Sequence, residues 1–226
     1  FDLNALEAAL QIKERCGGTV TVISMGPRQA ESSLKDAIAR GADRAILLTD
    51  PRLAGADTIA TARALAAAIK KLGGFDLILC GEKTVDGDTG QVGPEVAELL
   101  GIPHAAYVCE LREISRDRVV VVSDMGDKYL YELELPALLT VTRELNTPRL
   151  PTLKDLLRAK RAGIEVWTAD DLSEHVPANM LGYQGSRTRV VKVVIPSAEH
   201  RKGIIYRGED AVEKIARILL SEVAAI

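Results

Sequence analysis

The sequence predicts an α/β fold built on a doubly wound, mostly parallel sheet, with a β-hairpin insertion and an extended C-terminal arm. Two observations predict the sheet. Short apolar runs rich in branched residues, T-V-T-V-I-S (19–24), R-A-I-L-L (44–48), D-L-I-L-C (76–80) and H-A-A-Y-V-C (104–109), are continuous rather than alternating, as strands buried on both faces are. Between them lie segments of helical periodicity, and strands alternating with helices at this spacing pair in parallel. A third observation predicts the insertion. D-R-V-V-V-V-S-D (117–124) and Y-L-Y-E-L-E-L (129–135) flank M-G-D-K, and the second run alternates polar with apolar residues.

Taken in order, Leu3, Leu6, Leu10 and Ile12 form one stripe of a helix from Asp2 to about Arg15, closed by Gly17-Gly18. The 19–24 strand follows, then the M-G-P turn (25–27) and a helix over about 29–40 that stops at Gly41. After the 44–48 strand, Asp57 caps a helix running to Gly73, with lysines in its last turn where the dipole favours them. The 76–80 strand leads into a glycine-rich loop. Pro94 suits the first turn of the next helix, which ends at Gly101. Beyond the hairpin, P-A-L-L-T-V-T (136–142) returns to the fully buried type of strand. E-L-N-T-P-R-L-P (144–151) reads as extended, and Thr152 with Asp155 caps a short basic helix over 153–162. From Glu174 to Arg207 apolar periodicity is scarce outside V-V-K-V-V-I (190–195), and a last helix spans Glu209 to about Val223. The expected division is therefore 1–143 as the α/β domain, 144–173 as a loop with its basic helix, and 174–226 as an arm lying along a partner.

The 226 residues, 47% hydrophobic and 27% charged, suffice for one substantial core. A net charge of −3 argues against nucleic acid as partner, and no apolar run is long enough for a membrane span. Cys16, Cys80 and Cys109 are odd in number and widely spaced, which reads as reduced core thiols in a cytoplasmic protein. The chain opens on Phe1 and enters a helix at once, so a preceding strand is expected to be missing.

The chemistry concentrates in C-G-E-K-T-V-D-G-D-T-G-Q-V-G-P (80–94). A loop that leaves a buried strand and feeds a helix aims main-chain N–H groups at the crevice beyond the strand ends, where glycines permit close approach to a phosphate. Asp86 and Asp88 would repel one, so they are read as acceptors for ribose hydroxyls or an adenine amino group, or as Asx turns on the loop itself. An ordinary Gly-Asp turn is the plain alternative. A calcium loop lacks its third donor and terminal Glu, and neither a G-x-x-x-x-G-K-[ST] nor a G-x-G-x-x-G string occurs. His104, His175 and His200 lack partner motifs for nucleophilic catalysis, so no catalytic residue is assigned.

The order and spacing of F-D-L-N-A-L-E-A-A-L, V-I-S-M-G-P, A-I-A-R-G-A-D-R-A, the 80–94 string, L-P-A-L-L-T-V and N-T-P-R-L-P-T-L-K-D-L-L-R-A-K resemble the β subunit of electron transfer flavoproteins, FixA proteins included. The resemblance implies a Rossmann-like, adenine-nucleotide α-hydrolase-like domain that carries electrons rather than catalysing a reaction alone. It implies a cofactor, FAD in preference to AMP, held by Gly81, Glu82, Lys83, Thr84, Val85, Asp86, Gly87, Asp88, Thr89, Gly90, Gln91 and Val92, with Met25, Gly26, Phe1 and Asp2 lining the site. It further implies a heterodimer with an α subunit, and partner dehydrogenases or a quinone oxidoreductase docking on Leu153, Arg158 and Arg161. In the electron-bifurcating branch NADH is the donor. A stress-protein-like nucleotide sensor is the alternative function. The hairpin turn Met125-Gly126-Asp127, with Tyr129 beyond it, departs from the family pattern.

Overall fold

The computed structural model describes residues 1–194, 203 and 205–223. Contacts divide the chain into one unit over Phe1–Arg189 and a second from Val190 onward.

In the first unit the strands form two sheets rather than one. β1 (Thr21–Met25), β2 (Arg44–Leu48) and β8 (Glu165–Trp167) make a three-stranded parallel sheet in the order β1-β2-β8. β3 (Leu77–Gly81), β7 (Ala137–Val141), β4 (His104–Ile114), β5 (Arg118–Asp124) and β6 (Lys128–Glu134) make the other, in that spatial order. Its β3-β7-β4 half is parallel, and β4-β5-β6 is the expected antiparallel meander. The winding therefore follows the α/β expectation, while β1 and β3 each end a sheet.

Side-chain alternation explains the layers. In β2, Ile46 and Leu48 pack toward Ala64, Ala67 and Ala68 of α3 (Thr58–Leu72), whereas Ala45 and Leu47 join Leu6 and Leu10 of α1 (Asp2–Cys16) and Leu34 and Ile38 of α2 (Glu31–Arg40). β7 repeats the division: Leu138 meets Ala62 of α3 and Val96 of α4 (Val92–Leu100), while Leu139 and Val141 meet Ala5 of α1. Thus α1 covers one face of both sheets and α3 the other. Six alanines of α3 lie at 3% exposure or less, and side chains that small let the helix settle close to the strands.

The predicted boundaries hold within a few residues. Asp57 accepts the Ala60 N–H as N-cap of α3, Gly101 ends α4 in the left-handed conformation, and Thr152 with Asp155 forms a complete capping box on α5 (Leu153–Arg161). The sequence reading gave no strand to 165–167, where three residues are too few to show a period. Yet β8 completes the first sheet, and Ala159 of α5 packs beside Leu34 and Leu47, so the chain returns to this unit well past residue 143. The cysteines are all free, but Cys16 is exposed at the end of α1, which corrects the reading of it as a core thiol. A short helix, α6 (Gly182–Gly185), follows near the end of the unit.

In the second unit the described residues contain α7 (Ala211–Val223), close to its expected span. Residues 190–194 adopt no regular structure, and the parts of the predicted arm at 195–202, 204 and 224–226 lie outside the described residues.

Candidate functional site

β3 delivers Gly81 to the crevice beyond the strand ends, where the Asp2 side chain and the backbone of β7 hold the chain in place. The Gly81 N–H donates to Asp2 Oδ1 at 3.2 Å, and the Glu82 N–H donates to the Val141 carbonyl at 3.0 Å. A Cβ on residue 81 would lie 2.8 Å from Cβ of Phe1. Phe1, Glu82 and Lys83 line a groove of about 460 Å³ together with Thr142, Arg143 and Glu144 from the end of β7. Burial raises the Glu82 carboxyl above the ordinary range. Met25 and Gly26 line a different groove of about 630 Å³, with Thr49, Asp50 and Leu53 beyond β2. The structure therefore gathers Phe1, Asp2, Gly81, Glu82 and Lys83 and sets Met25 and Gly26 beyond the ends of the other sheet.

Thr84–Asp88 is a turn that satisfies itself. Asp88 N–H donates to the Thr84 carbonyl at 3.1 Å, and Gly87 N–H is shared by Asp86 Oδ1 at 2.7 Å and Thr84 Oγ1 at 3.2 Å. Lys83 Nζ stands 2.8 Å from Asp88 Oδ1. The Gly87 N–H holds the Asp86 carboxyl below its usual range, and Asp88 raises the Lys83 ammonium. Both acids that seemed to oppose a phosphate are thus engaged: one caps its own turn and the other is neutralised by a lysine. Val85 at the tip is 92% exposed. Closer to α4, Gln91 Oε1 lies 3.1 Å from the Thr58 hydroxyl, which also faces Glu95 Oε1 at 3.2 Å.

The glycines differ in purpose. Gly90 adopts φ 63°, where a side chain is strained, and Tyr107 Oη would lie 3.0 Å from its Cβ. Gly93 sits inside α4, and a Cβ there would strike Thr140 Cγ2 at 2.5 Å and Cys80 Sγ at 3.0 Å. It is a packing glycine that seats the helix on β3 and β7. Burial pushes the Cys80 thiol up to about 12, so it stays protonated and unreactive. Tyr107 was missed by sequence reading: an aromatic residue inside a strand pattern signals packing, and nothing in H-A-A-Y-V-C betrays its φ of 54°.

A glycine-bearing loop leaves the half-buried parallel strand β3 with a groove beside its first residues and leads into α4, an arrangement of the kind that receives a nucleotide's phosphate beyond the strand ends. The main-chain cradle is narrower than the sequence suggests, because the N–H groups of Gly81, Glu82, Gly87 and Asp88 are already engaged. Among the described residues no trio of His, Cys, Asp or Glu is arranged to hold a metal, and no helix is long and apolar enough to cross a membrane.

A family model described as "Electron transfer flavoprotein domain" matches residues 1–172. The chain is 47% identical over 224 residues to the electron transfer flavoprotein subunit beta of Thermoanaerobacterium thermosaccharolyticum, covering 97% of this chain and 84% of that protein. It is 40% identical to Protein FixA of Sinorhizobium fredii, across 100% of this chain and 81% of that one. The chain belongs to the electron transfer flavoprotein β subunit family. It is also 41% identical to the caffeyl-CoA reductase-Etf complex subunit CarD of Acetobacterium woodii, over 88% of this chain and 75% of that protein.

Membership in this family makes the chain an electron-transfer subunit rather than a free-standing catalyst, and it displaces the stress-protein-like alternative. The segment leading into α5 exposes a run of leucines. There Leu150, Leu153 and Leu157 are 84%, 73% and 52% exposed, and Arg158 and Arg161 lie on the same short helix, Arg158 paired with Asp155. The segment before it is bound firmly to α1. Arg149 reaches Glu7 at 2.8 Å and also engages Glu14, its N–H donates to Glu7, and the Asn4 amide donates to the Asn146 carbonyl at 2.8 Å. Glu7 is 5% exposed, and the Arg149 guanidinium holds its carboxyl down at about 2.

Proposed function

We propose that this chain holds FAD in the Gly81–Val92 loop and, paired with an electron transfer flavoprotein α subunit, carries electrons between dehydrogenases or NADH and downstream acceptors. The observation that carries the reading is the loop itself, a glycine-bearing connection from a half-buried parallel strand into α4 with its acidic side chains already engaged. AMP is the alternative occupant, sharing the adenosine and phosphate chemistry. When bound, a flavin supplies the redox chemistry. The protein's part is to receive and orient it: Lys83 offers a positive charge beside the groove, while Phe1 and Asp2 close the loop's near side. Leu153, with Arg158 and Arg161 for electrostatic steering, is the proposed docking point for partner dehydrogenases or a quinone oxidoreductase.

Relatives named as FixA and as part of a caffeyl-CoA reductase-Etf complex support a role within larger electron-transfer assemblies. The test is to co-produce the chain with its α subunit, denature the purified complex and separate the released nucleotides. Two equivalents of FAD per heterodimer are expected. One FAD with one AMP assigns AMP to this chain, and a complex that releases neither from it defeats the proposal.

A further inference from the structure

Among the described residues only Asp88 and Tyr107 combine a side chain with positive φ, and Tyr107 does so in the middle of a strand. The surrounding structure enforces it. β4 slips register against β7 between Ala105 and Val108, and against β5 between Val108 and Glu110. The backbone groups turned out of the ladder pass to two buried hydroxyls. Tyr107 N–H donates to Thr140 Oγ1 at 3.0 Å, and Ser123 Oγ donates to the Ala106 carbonyl at 2.5 Å. Thr140 and Ser123 are 2% and 0% exposed, so both neighbouring strands devote interior hydroxyls to this kink. A bulge re-aims one side chain, and backbone strain persists where the surroundings over-determine it.

The side chain is aimed at the loop. Tyr107 Oη lies 3.0 Å from the Cβ position of Gly90, and the Glu82 carbonyl lies 3.5 Å from the same point. The phenol thus stands between the start of the loop and the residues that lead into α4. The hydroxyl makes no hydrogen bond to any described residue, although the Tyr107 N–H and the Ala106 carbonyl at the kink both have partners. We infer that Tyr107 contacts the bound nucleotide, its hydroxyl donating to a phosphate oxygen seated against Gly90. The inference rests on the nucleotide site proposed above and adds a residue to it. FAD and AMP both present such an oxygen, so the contact serves either occupant.

The test uses the full chain stripped of nucleotide, with AMP and adenosine as probes. Tyr107→Phe keeps the ring and the backbone and removes only the hydroxyl. It is expected to weaken AMP about tenfold, as loss of a hydrogen bond to a charged group does, while adenosine affinity and the thermal midpoint of the unliganded protein stay within error. Unchanged AMP affinity overturns the inference. So does a parallel fall for AMP and adenosine, or a loss of stability that matches the loss of affinity, because each marks a packing role. If the wild-type chain binds neither AMP nor FAD, the nucleotide site itself fails, a result readable before any variant is made.

Discussion

Two segments leave neighbouring strands at the same end of the second sheet and are held in opposite ways. The 143–149 segment is fixed from afar: Asn4, Glu7 and Glu14 of α1 grip residues some 140 positions along the chain, through a carboxylate that is almost wholly buried. The 84–88 turn is fixed by itself, with bonds that span one to five residues and an exposed tip. Long-range bonds to a packed helix place a segment relative to the fold, whereas local bonds shape a turn without anchoring it. The 143–149 segment is thus built as part of the scaffold, and the 84–88 turn as a shaped insert held only by its own residues.

The largest effect should come from breaking the anchored side. Arg149→Ala strands the buried Glu7 carboxylate and should cost about 3 kcal/mol in urea unfolding. The same pair sets a pH dependence. Glu7 is depressed from 4.5 to about 2, so its contribution is complete above the unfolded value and disappears as pH falls through the folded one. Wild type should lose on the order of 2 kcal/mol between about pH 5 and pH 2 beyond what Arg149→Ala loses, after allowance for solvent at Arg149. Parallel pH profiles for the two proteins would remove the anchor from the account. A middle effect is expected at Gly93→Ala, where the added methyl strikes Thr140 and Cys80; overpacking of this kind costs roughly 1–3 kcal/mol and should push α4 outward. The smallest belongs to the self-contained turn. Lys83→Met breaks an exposed ion pair with Asp88 and should leave the urea midpoint nearly unchanged, while lowering nucleotide affinity by removing a positive charge from the groove. A large stability loss there would erase the contrast between the two segments.

Much of this was legible in the chain because it rests on local signals. Asp57, Gly101 and the Thr152–Asp155 box announce helix ends through chemistry that acts within one turn, and the structure keeps all three. The loop was legible as a place but not in its parts. The glycines of the 80–94 string read alike as points of close approach, yet Gly93 answers to strands β3 and β7 that the sequence does not bring near it, and Gly90 answers to a tyrosine 17 residues on. The acids were readable as bonding within their own loop, and Asp86 does so by accepting from the adjacent Gly87 N–H rather than as an Asx turn, but the Lys83–Asp88 pair depends on how the turn closes. Tyr107, β8 and the Arg149–Glu7 pair share one reason for their invisibility: each is decided by partners far away in sequence. The division into two sheets is of the same kind, since apolar runs identify strands and say nothing about which edges stay unpaired.

That division has a thermal consequence. Among the described residues no backbone bond joins the three-stranded sheet to the five-stranded one; oily side chains of two helices, α1 above and the alanine-lined α3 below, span the seam. Oily contact loses strength as water cools, whereas ladder bonds lose little. Chilling toward freezing should therefore loosen the seam before it frays either sheet.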